Sequence, residues 1–130
     1  MGNIKKYNIL PVAKPRMVMS DRYRRRAPVQ KYWNYKAHCK LLDLEIPDRP
    51  LKVCFILPMP KSWSKKKKKL MRYTKHKQVP DLDNLIKGLG DILDDDAFID
   101  EWTCAKFWGD YACMVIEELD TAIPFPEIAK

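Results

Sequence analysis

The stretch from residue 80 to residue 100 carries seven carboxylates and one lysine, in a chain whose formal net charge is +8. Its apolar side chains recur at the three- and four-residue spacing of an amphipathic helix, at Leu85, Leu89, Ile92 and Leu93. We predict a helix from about residue 84 to residue 94 that turns these four side chains towards a core. The opposite face is then acidic. Because neighbouring carboxylates repel one another, that face must be either solvated or neutralised by a cation.

The acidic face has an ordered pattern. Asp83, Lys87 and Asp91 follow one another at four-residue steps, which places an acid, a base and an acid along one stripe of the helix if Asp83 is its N-terminal cap. Asp81 precedes Asp83 by two residues. In extended chain such side chains point to the same side, so the two carboxylates can converge just ahead of the helix. Three more aspartates, at positions 94–96, follow the helix.

A divalent cation is the counter-charge that this cluster favours. Carboxylate oxygens without a Cys or His cluster nearby are typical ligands of Mg²⁺ or Mn²⁺ rather than of zinc. The four cysteines form no Cys-x-x-Cys pair in the sequence, so we expect reduced thiols and no zinc site. Each aspartate taken alone also has a simpler interpretation, as a helix cap or a solvated turn residue. It is the repeated pattern that indicates a metal site.

Charge is divided unevenly along the chain. Residues 1–80 contain 22 Lys and Arg against 4 Asp and Glu, whereas residues 81–130 contain 3 against 13. A strongly basic portion is typical of proteins that neutralise nucleic-acid phosphates and gain sequence-independent affinity from the counter-ions released. We therefore expect the basic portion to bind nucleic acid and the acidic portion to hold metal.

Two basic segments are the candidates for nucleic-acid contacts. One is a loop between prolines 15 and 28, with Tyr23 available to stack on an unpaired base; the other is a short helix, capped by Ser62, that carries five consecutive lysines. Five such lysines coat much of a helix, which favours backbone phosphate contacts over base reading. Solvated surface is the simpler interpretation of each segment. The cations that we assign to DNA binding are Lys14, Arg16, Arg22, Arg24, Arg25, Arg26, Lys65, Lys66, Lys67, Lys68, Lys69, Arg72, Lys75 and Lys77.

The remaining pattern predicts a single α+β domain in which helices pack on a mixed β-sheet. Strands are expected at residues 3–10 and 51–57, the second of them in the interior of the sheet, and a C-terminal β-hairpin at 98–108 and 111–118. A helix over residues 29–42 should bury Val29, Trp33, Ala37 and Leu41. We take residues 1–120 as the domain and 121–130 as a loose tail.

The chain shows no apolar run long enough to span a membrane and no signal-peptide pattern at its start. We expect a cytoplasmic protein with no membrane partner.

The central segment, Pro80-Asp81-Leu82-Asp83-Asn84-Leu85-Ile86-Lys87, followed by Asp91 and by Asp95-Asp96, resembles the signature of the RusA-type Holliday junction resolvases. These are endonucleases often carried by phages and prophages. Upstream, Lys14-Pro15-Arg16-Met17 and Pro58-Met59-Pro60-Lys61-Ser62-Trp63-Ser64, with the lysines that follow, resemble phage-type members. The resemblance extends over most of the chain, to about residue 118.

The resemblance implies a Mg²⁺-dependent crossover junction endodeoxyribonuclease, with Mn²⁺ as the alternative metal and no small-molecule cofactor. Such an enzyme serves DNA recombination and repair and cuts four-way junctions by paired symmetric nicks, here in the cytoplasm of a bacterium or of a phage-infected cell. Two symmetric cuts need two active sites, and a chain of 130 residues carries one, so we expect a homodimer.

The resemblance also assigns roles to residues. Asp81, Asp83 and Asp96 match the family's metal ligands, Lys87 matches its catalytic lysine, and Asp91 matches a further acid of the helix that is a possible ligand. Asp95 is the alternative to Asp96, because the connection before this pair is shorter here than in family members. We prefer Asp96 because it aligns best with the strand that follows.

Two other classes of function fit the same residues. One is a DNA-binding protein without catalysis, which the presence of all the carboxylates and of Lys87 disfavours. The other is a less selective nuclease that acts on other branched DNA or on RNA, since phosphate contacts by themselves carry no sequence information. Preference for a four-way junction over linear duplex separates a resolvase from such a nuclease.

Overall fold

The computed structural model describes residues 3–16, 26–93 and 98–130. These residues form a four-stranded sheet with strand order β1-β4-β2-β3. Its strands are β1 (Ile4–Tyr7), β2 (Leu51–Pro58), β3 (Trp102–Gly109) and β4 (Cys113–Glu118). β2 pairs parallel with β3 and antiparallel with β4, and β4 pairs antiparallel with β1. The sheet is mixed, and the predicted α+β class is confirmed.

β2 lies in the sheet interior, as predicted. Leu51, Val53 and Phe55 alternate along it and are fully buried, and Met114 and Ile116 of β4 lie beside them on the same face. Side chains two apart on a strand share a face, so these residues form one continuous apolar layer. Burial of this layer in the core removes apolar surface from water and so stabilises the fold.

The segments predicted as a C-terminal hairpin do form strands, but they do not pair with each other. β2 lies between them, with Leu51 opposite Trp102 of β3 on one side and Glu118 of β4 on the other. The connection passes the end of β2, where the Met59 amide donates to the Gly109 carbonyl at 3.1 Å. The Gly-Asp turn signal reports only the local chain direction and does not show which strands pair. β2 is mostly apolar on both faces and pairs with a strand on each side, which separates β3 from β4.

In the part of the chain that the structure describes, three α-helices accompany the sheet, α1 (Ala27–Leu41), α2 (Lys65–Met71) and α3 (Leu82–Gly90), and a 3-10 helix (Glu127–Ala129) lies near the C-terminus. Within the described ranges, no helix is both long enough and apolar enough to cross a bilayer. From α3, Leu85 and Leu89 are fully buried in the core that contains the apolar layer of the sheet. Ile92 and Leu93 lie in the turn after α3 and pack against the same core. The predicted apolar face is confirmed at Leu85 and Leu89, but the helix ends at Gly90, four residues earlier than predicted, so Ile92 and Leu93 reach the core from the turn that follows it.

The buried face of α1 differs from the predicted one. Val29 is buried as expected, but Trp33 is 36% exposed and Leu41 is 83% exposed, and Ala37 is exposed as well. The buried residues are instead Val29, Tyr32, Tyr35 and Cys39. Tyrosine can occupy a core when its hydroxyl finds a partner. Here the Tyr35 hydroxyl contacts Met114 Sδ at 3.3 Å.

Candidate active site

The N-terminal boundary of α3 differs slightly from the prediction. The helix begins at Leu82, two residues earlier than expected, so Asp81 occupies the N-cap position and Asp83 lies in the first turn. The Asp81 side chain makes no capping hydrogen bond. Both aspartates are exposed. A negative charge in the first turn is stabilised by the helix dipole, yet neither carboxylate is enclosed by protein, so both can accept a ligand from solvent.

Lys87 lies one turn after Asp83, as the four-residue spacing predicts. Its Nζ is 3.7 Å from Asp83 Oδ2, and both side chains are more than 60% exposed. An exposed pair at this distance contributes at most about 1 kcal/mol to stability. Lys87 is therefore easily redirected towards an incoming phosphate.

Asp91 lies at the C-terminal end of α3, where two donors converge on one of its oxygens. Lys14 Nζ is 2.7 Å from Asp91 Oδ2, and the Tyr32 hydroxyl donates to the same oxygen at 2.8 Å. Burial alone would raise the pKa of Asp91, but the hydrogen bonds from Lys14 and Tyr32 and the charges of Lys14 and Lys36 outweigh it and hold the pKa below its usual range. Asp91 thus binds Lys14 in this structure.

The segment after β1 is held against α3 by a close backbone approach. The Lys14 amide donates to the Asn84 carbonyl at 3.0 Å. A Cβ added at Gly88 would lie 2.6 Å from the Val12 carbonyl oxygen and 3.4 Å from the Tyr32 ring. Only glycine fits this contact without a shift. A glycine inside a helical pattern is the sequence signal for such an approach, and the prediction did not use it.

These contacts bring the predicted basic residues Lys14 and Arg16 beside Lys87. A cleft, which we call the Lys14–Lys87 cleft, is lined by Lys14, Pro15, Arg16, Asn84 and Lys87. It adjoins a second depression that shares Lys14 and Lys87 and adds the apolar side chains of Ile86, Ile99 and Trp102. Three cations and one amide around a single cleft are a suitable environment for a phosphodiester.

The lysine-rich helix α2 forms the second basic surface. Its N-cap is Ser64, whose Oγ accepts from the Lys67 amide at 3.1 Å, and not Ser62 as predicted. None of its residues is buried, so its lysines are available to solvent. Lys67 Nζ lies 4.3 Å from the centre of the Trp63 ring, which keeps that lysine beside a flat aromatic surface.

The other predicted DNA-binding cations have different surroundings. Arg72 Nε is bound to both carboxylate oxygens of Asp110 at 3.0 Å, and Lys75 Nζ lies 4.2 Å from the centre of the Phe107 ring. Lys77 is exposed, and Arg26 donates to the Arg16 carbonyl at 2.9 Å. Arg22, Arg24 and Arg25 lie outside the described residues.

The chain between α2 and α3 attaches to the outer edge of β3. Three backbone hydrogen bonds make this attachment, with N–O distances of 2.9 to 3.0 Å: the Tyr73 amide donates to the Trp108 carbonyl, the Trp108 amide to the Thr74 carbonyl, and the His76 amide to the Lys106 carbonyl. His76 is buried, with its ring centre 3.8 Å from that of Trp108. Burial and the nearby Lys106 charge lower the pKa of His76, which favours its neutral form.

The metal ligands predicted from the sequence are described only in part. Asp81 and Asp83 are exposed at the start of α3, whereas Asp95 and Asp96, with Asp94, lie outside the described residues. Across residues 3–16, 26–93 and 98–130, no three His, Cys, Asp or Glu side chains come together as a possible metal site.

A family model, Endodeoxyribonuclease RusA, matches residues 8–117. No curated protein and no solved structure matches the chain. The matched range includes Lys14, both aspartates at the start of α3, Lys87 and Asp91, and it covers most of the sequence. The chain therefore belongs to the RusA endodeoxyribonuclease family.

Proposed function

We propose that this protein is a metal-dependent endodeoxyribonuclease that resolves four-way DNA junctions by paired symmetric nicks. The proposal depends most on one observation in a chain of this family. Two exposed carboxylates, Asp81 and Asp83, lie at one end of α3, and Lys87 follows one turn later in a cleft with Lys14 and Arg16. Carboxylates and cations around one surface match the needs of phosphodiester hydrolysis, in which a metal and a phosphate must be bound together.

Asp81 and Asp83 fit a hard divalent cation, because both offer carboxylate oxygens that the protein does not enclose. With Asp96, or Asp95 in its place, they would hold Mg²⁺ or Mn²⁺. Asp91 is a weaker candidate ligand, since its Oδ2 already accepts from Lys14 and Tyr32. A metal bound by Asp81 and Asp83 would activate a water molecule and stabilise the leaving oxygen of the phosphodiester.

The cations of the Lys14–Lys87 cleft have separate roles in this proposal. Lys87 neutralises charge that develops on the scissile phosphate, because it is exposed and only weakly paired with Asp83. Lys14 is held in place by Asp91 and binds a phosphate in a fixed orientation. The α2 lysines contribute affinity for the DNA backbone without reading sequence.

A homodimer follows from the same proposal. Paired symmetric nicks require two active sites related by two-fold symmetry, and one chain supplies one set of Asp81, Asp83 and Lys87. The expected cellular setting is the cytoplasm of a bacterium or of a phage-infected host.

The test is cleavage of a labelled mobile four-way junction beside linear duplex and single strand, with Mg²⁺, with Mn²⁺ and with EDTA. The proteins are wild type, Asp83→Asn, and Asp48→Asn as a control that removes an exposed aspartate far along the chain from α3. We expect symmetric, metal-dependent nicks in the junction from wild type and Asp48→Asn, whereas Asp83→Asn binds the junction without cutting it.

Two results would favour the other classes of function. If wild type binds the junction but leaves it whole with either metal, the protein is a binding protein without catalysis. If it cuts linear duplex or single strand as fast as the junction, it is a less selective nuclease.

A further inference from the structure

Lys106 is a charged residue in the middle of β3. In the parallel pairing it lies opposite Phe55, a fully buried core residue of β2, and its neighbours two positions away are Cys104 and Trp108. The Lys106 side chain is only partly exposed. A lysine on this face of a strand requires polar partners, because an ammonium without hydrogen bonds is unfavourable away from water.

The partners of Lys106 are two backbone carbonyls. Its Nζ donates to the Pro80 carbonyl at 2.6 Å and also to the Gln78 carbonyl. Pro80 directly precedes Asp81, and Asp83 follows two residues later. The ammonium of Lys106 is thus attached to the backbone immediately before the carboxylates to which we assign metal binding.

This contact continues an attachment made by the backbone. The chain from Tyr73 to His76 pairs with the edge of β3 through three amide–carbonyl bonds, the last of them from His76 to Lys106. Backbone pairing with β3 ends there, and α3 begins at Leu82. Between these two fixed points, the Lys106 side chain supplies the contacts from β3 to residues 78–80.

We propose that Lys106 is a positioning residue that fixes the backbone of residues 78–80 and so orients Asp81 and Asp83 for metal binding. This inference rests on the proposed function. Groups that orient metal ligands from behind influence metal affinity and activity by about 10- to 100-fold, although they touch neither metal nor substrate.

The test uses three variants of the full chain. Lys106→Met removes the ammonium but keeps an unbranched side chain of similar length. Lys106→Arg restores donors that can reach two carbonyls. Lys52→Met is the control, because Lys52 is also a strand lysine but pairs with Glu117 on the other face of the sheet.

We expect Lys106→Met to bind Mn²⁺, measured by electron paramagnetic resonance without DNA, about 10-fold more weakly than wild type. Junction binding in EDTA should stay within about twofold, because Lys106 is not part of the basic surfaces, while single-turnover cleavage falls about 10- to 100-fold. Lys106→Arg should recover most of the Mn²⁺ affinity, and Lys52→Met should match wild type.

Amide hydrogen exchange distinguishes this inference from the proposed function. Lys106→Met should exchange faster at Leu85, whose amide donates to the carbonyl of the N-cap residue Asp81 at 3.2 Å, and at an unchanged rate at Phe55, a buried residue of β2, whether or not wild type proves to be a nuclease. If wild type cuts no junction, the proposed function fails, and amide exchange together with Mn²⁺ affinity still tests the role of Lys106. Unchanged exchange at Leu85 together with wild-type Mn²⁺ affinity would overturn the inference, and so would uniform loss of protection across the sheet.

Discussion

Lys14 and Asp91 form an ion pair, with 2.7 Å between Nζ and Oδ2, that joins the segment after β1 to the end of α3. The Tyr32 hydroxyl donates to the same oxygen from α1. Three parts of the chain therefore meet at one carboxylate. Lys14 in turn lines the cleft that contains Lys87, so this carboxylate determines where one of the cleft's cations lies.

Replacing Asp91 with Asn should weaken both stability and cleavage. Loss of the charge leaves the Lys14 ammonium without its partner, and we expect the free energy of unfolding to fall by about 1 kcal/mol, because the pair is partly exposed. Cleavage should fall further than junction binding, since Lys14 loses its fixed orientation. Urea denaturation and single-turnover kinetics measure the two effects. Tyr32→Phe is the matched control, which removes one hydrogen bond but keeps the ion pair.

The stability effect of Asp91 should depend on pH. An aspartate whose pKa is lowered in the folded state stabilises that state above the unfolded pKa, and this contribution is lost as the pH falls through the folded pKa. The difference in the free energy of unfolding between wild type and Asp91→Asn should have its full value at pH 7 and should shrink below about pH 4. A difference that stays constant down to pH 2.5 would contradict the role of the Asp91 charge.

Gly88→Ala should destabilise the protein although alanine favours helix. The added Cβ would lie 2.6 Å from the Val12 carbonyl, so the segment that carries Lys14 must move away from α3. Overpacking against a backbone oxygen should cost about 1–3 kcal/mol, offset in part by the roughly 1 kcal/mol that alanine gains over glycine in a helix, so we expect a net loss of up to about 2 kcal/mol. Thermal and urea denaturation measure the change. His38→Ala, at an exposed position of α1, is the control and should be neutral.

Much of the site was predictable from local pattern. Leu85 and Leu89 are buried because helical spacing fixes which side faces the core, and Asp83 and Lys87 are neighbours for the same reason. The contacts that were missed connect distant segments. The hydrogen bond from Tyr32 to Asp91 and the one from Lys106 to Pro80 depend on how α1 and β3 pack against the rest of the chain. The periodicity of a single helix or strand carries no information about that packing. The hairpin prediction was wrong for the same reason: which strands pair depends on tertiary contacts, and β2 lies between the two strands.

The α2 lysines should contribute affinity rather than catalysis. A double variant, Lys65→Gln with Lys69→Gln, should bind the junction more weakly and reduce the slope of log Kd against log salt by up to about 2, because each lost phosphate contact removes about 0.9. Cleavage of the bound junction should be unchanged. Binding isotherms from 50 to 300 mM NaCl measure the slope. The control is Lys31→Gln with Lys40→Gln on α1, and an equal effect there would show that α2 is not a specific contact surface.

Replacing Lys87 should slow cleavage and leave the stability of the fold almost unchanged. Its pair with Asp83 is long and exposed, so Lys87→Met should change the free energy of unfolding by less than about 0.5 kcal/mol. Single-turnover cleavage should nevertheless fall by about 100- to 1,000-fold, because the charge that developed on the phosphate is no longer neutralised. Junction Kd should change only a few-fold, since Lys14 and Arg16 still line the cleft. Lys87→Arg keeps the charge and should retain part of the activity. If Lys87→Met instead raised Kd and slowed cleavage by the same factor, Lys87 would bind DNA equally in the ground and transition states, and the catalytic role proposed for it would be wrong.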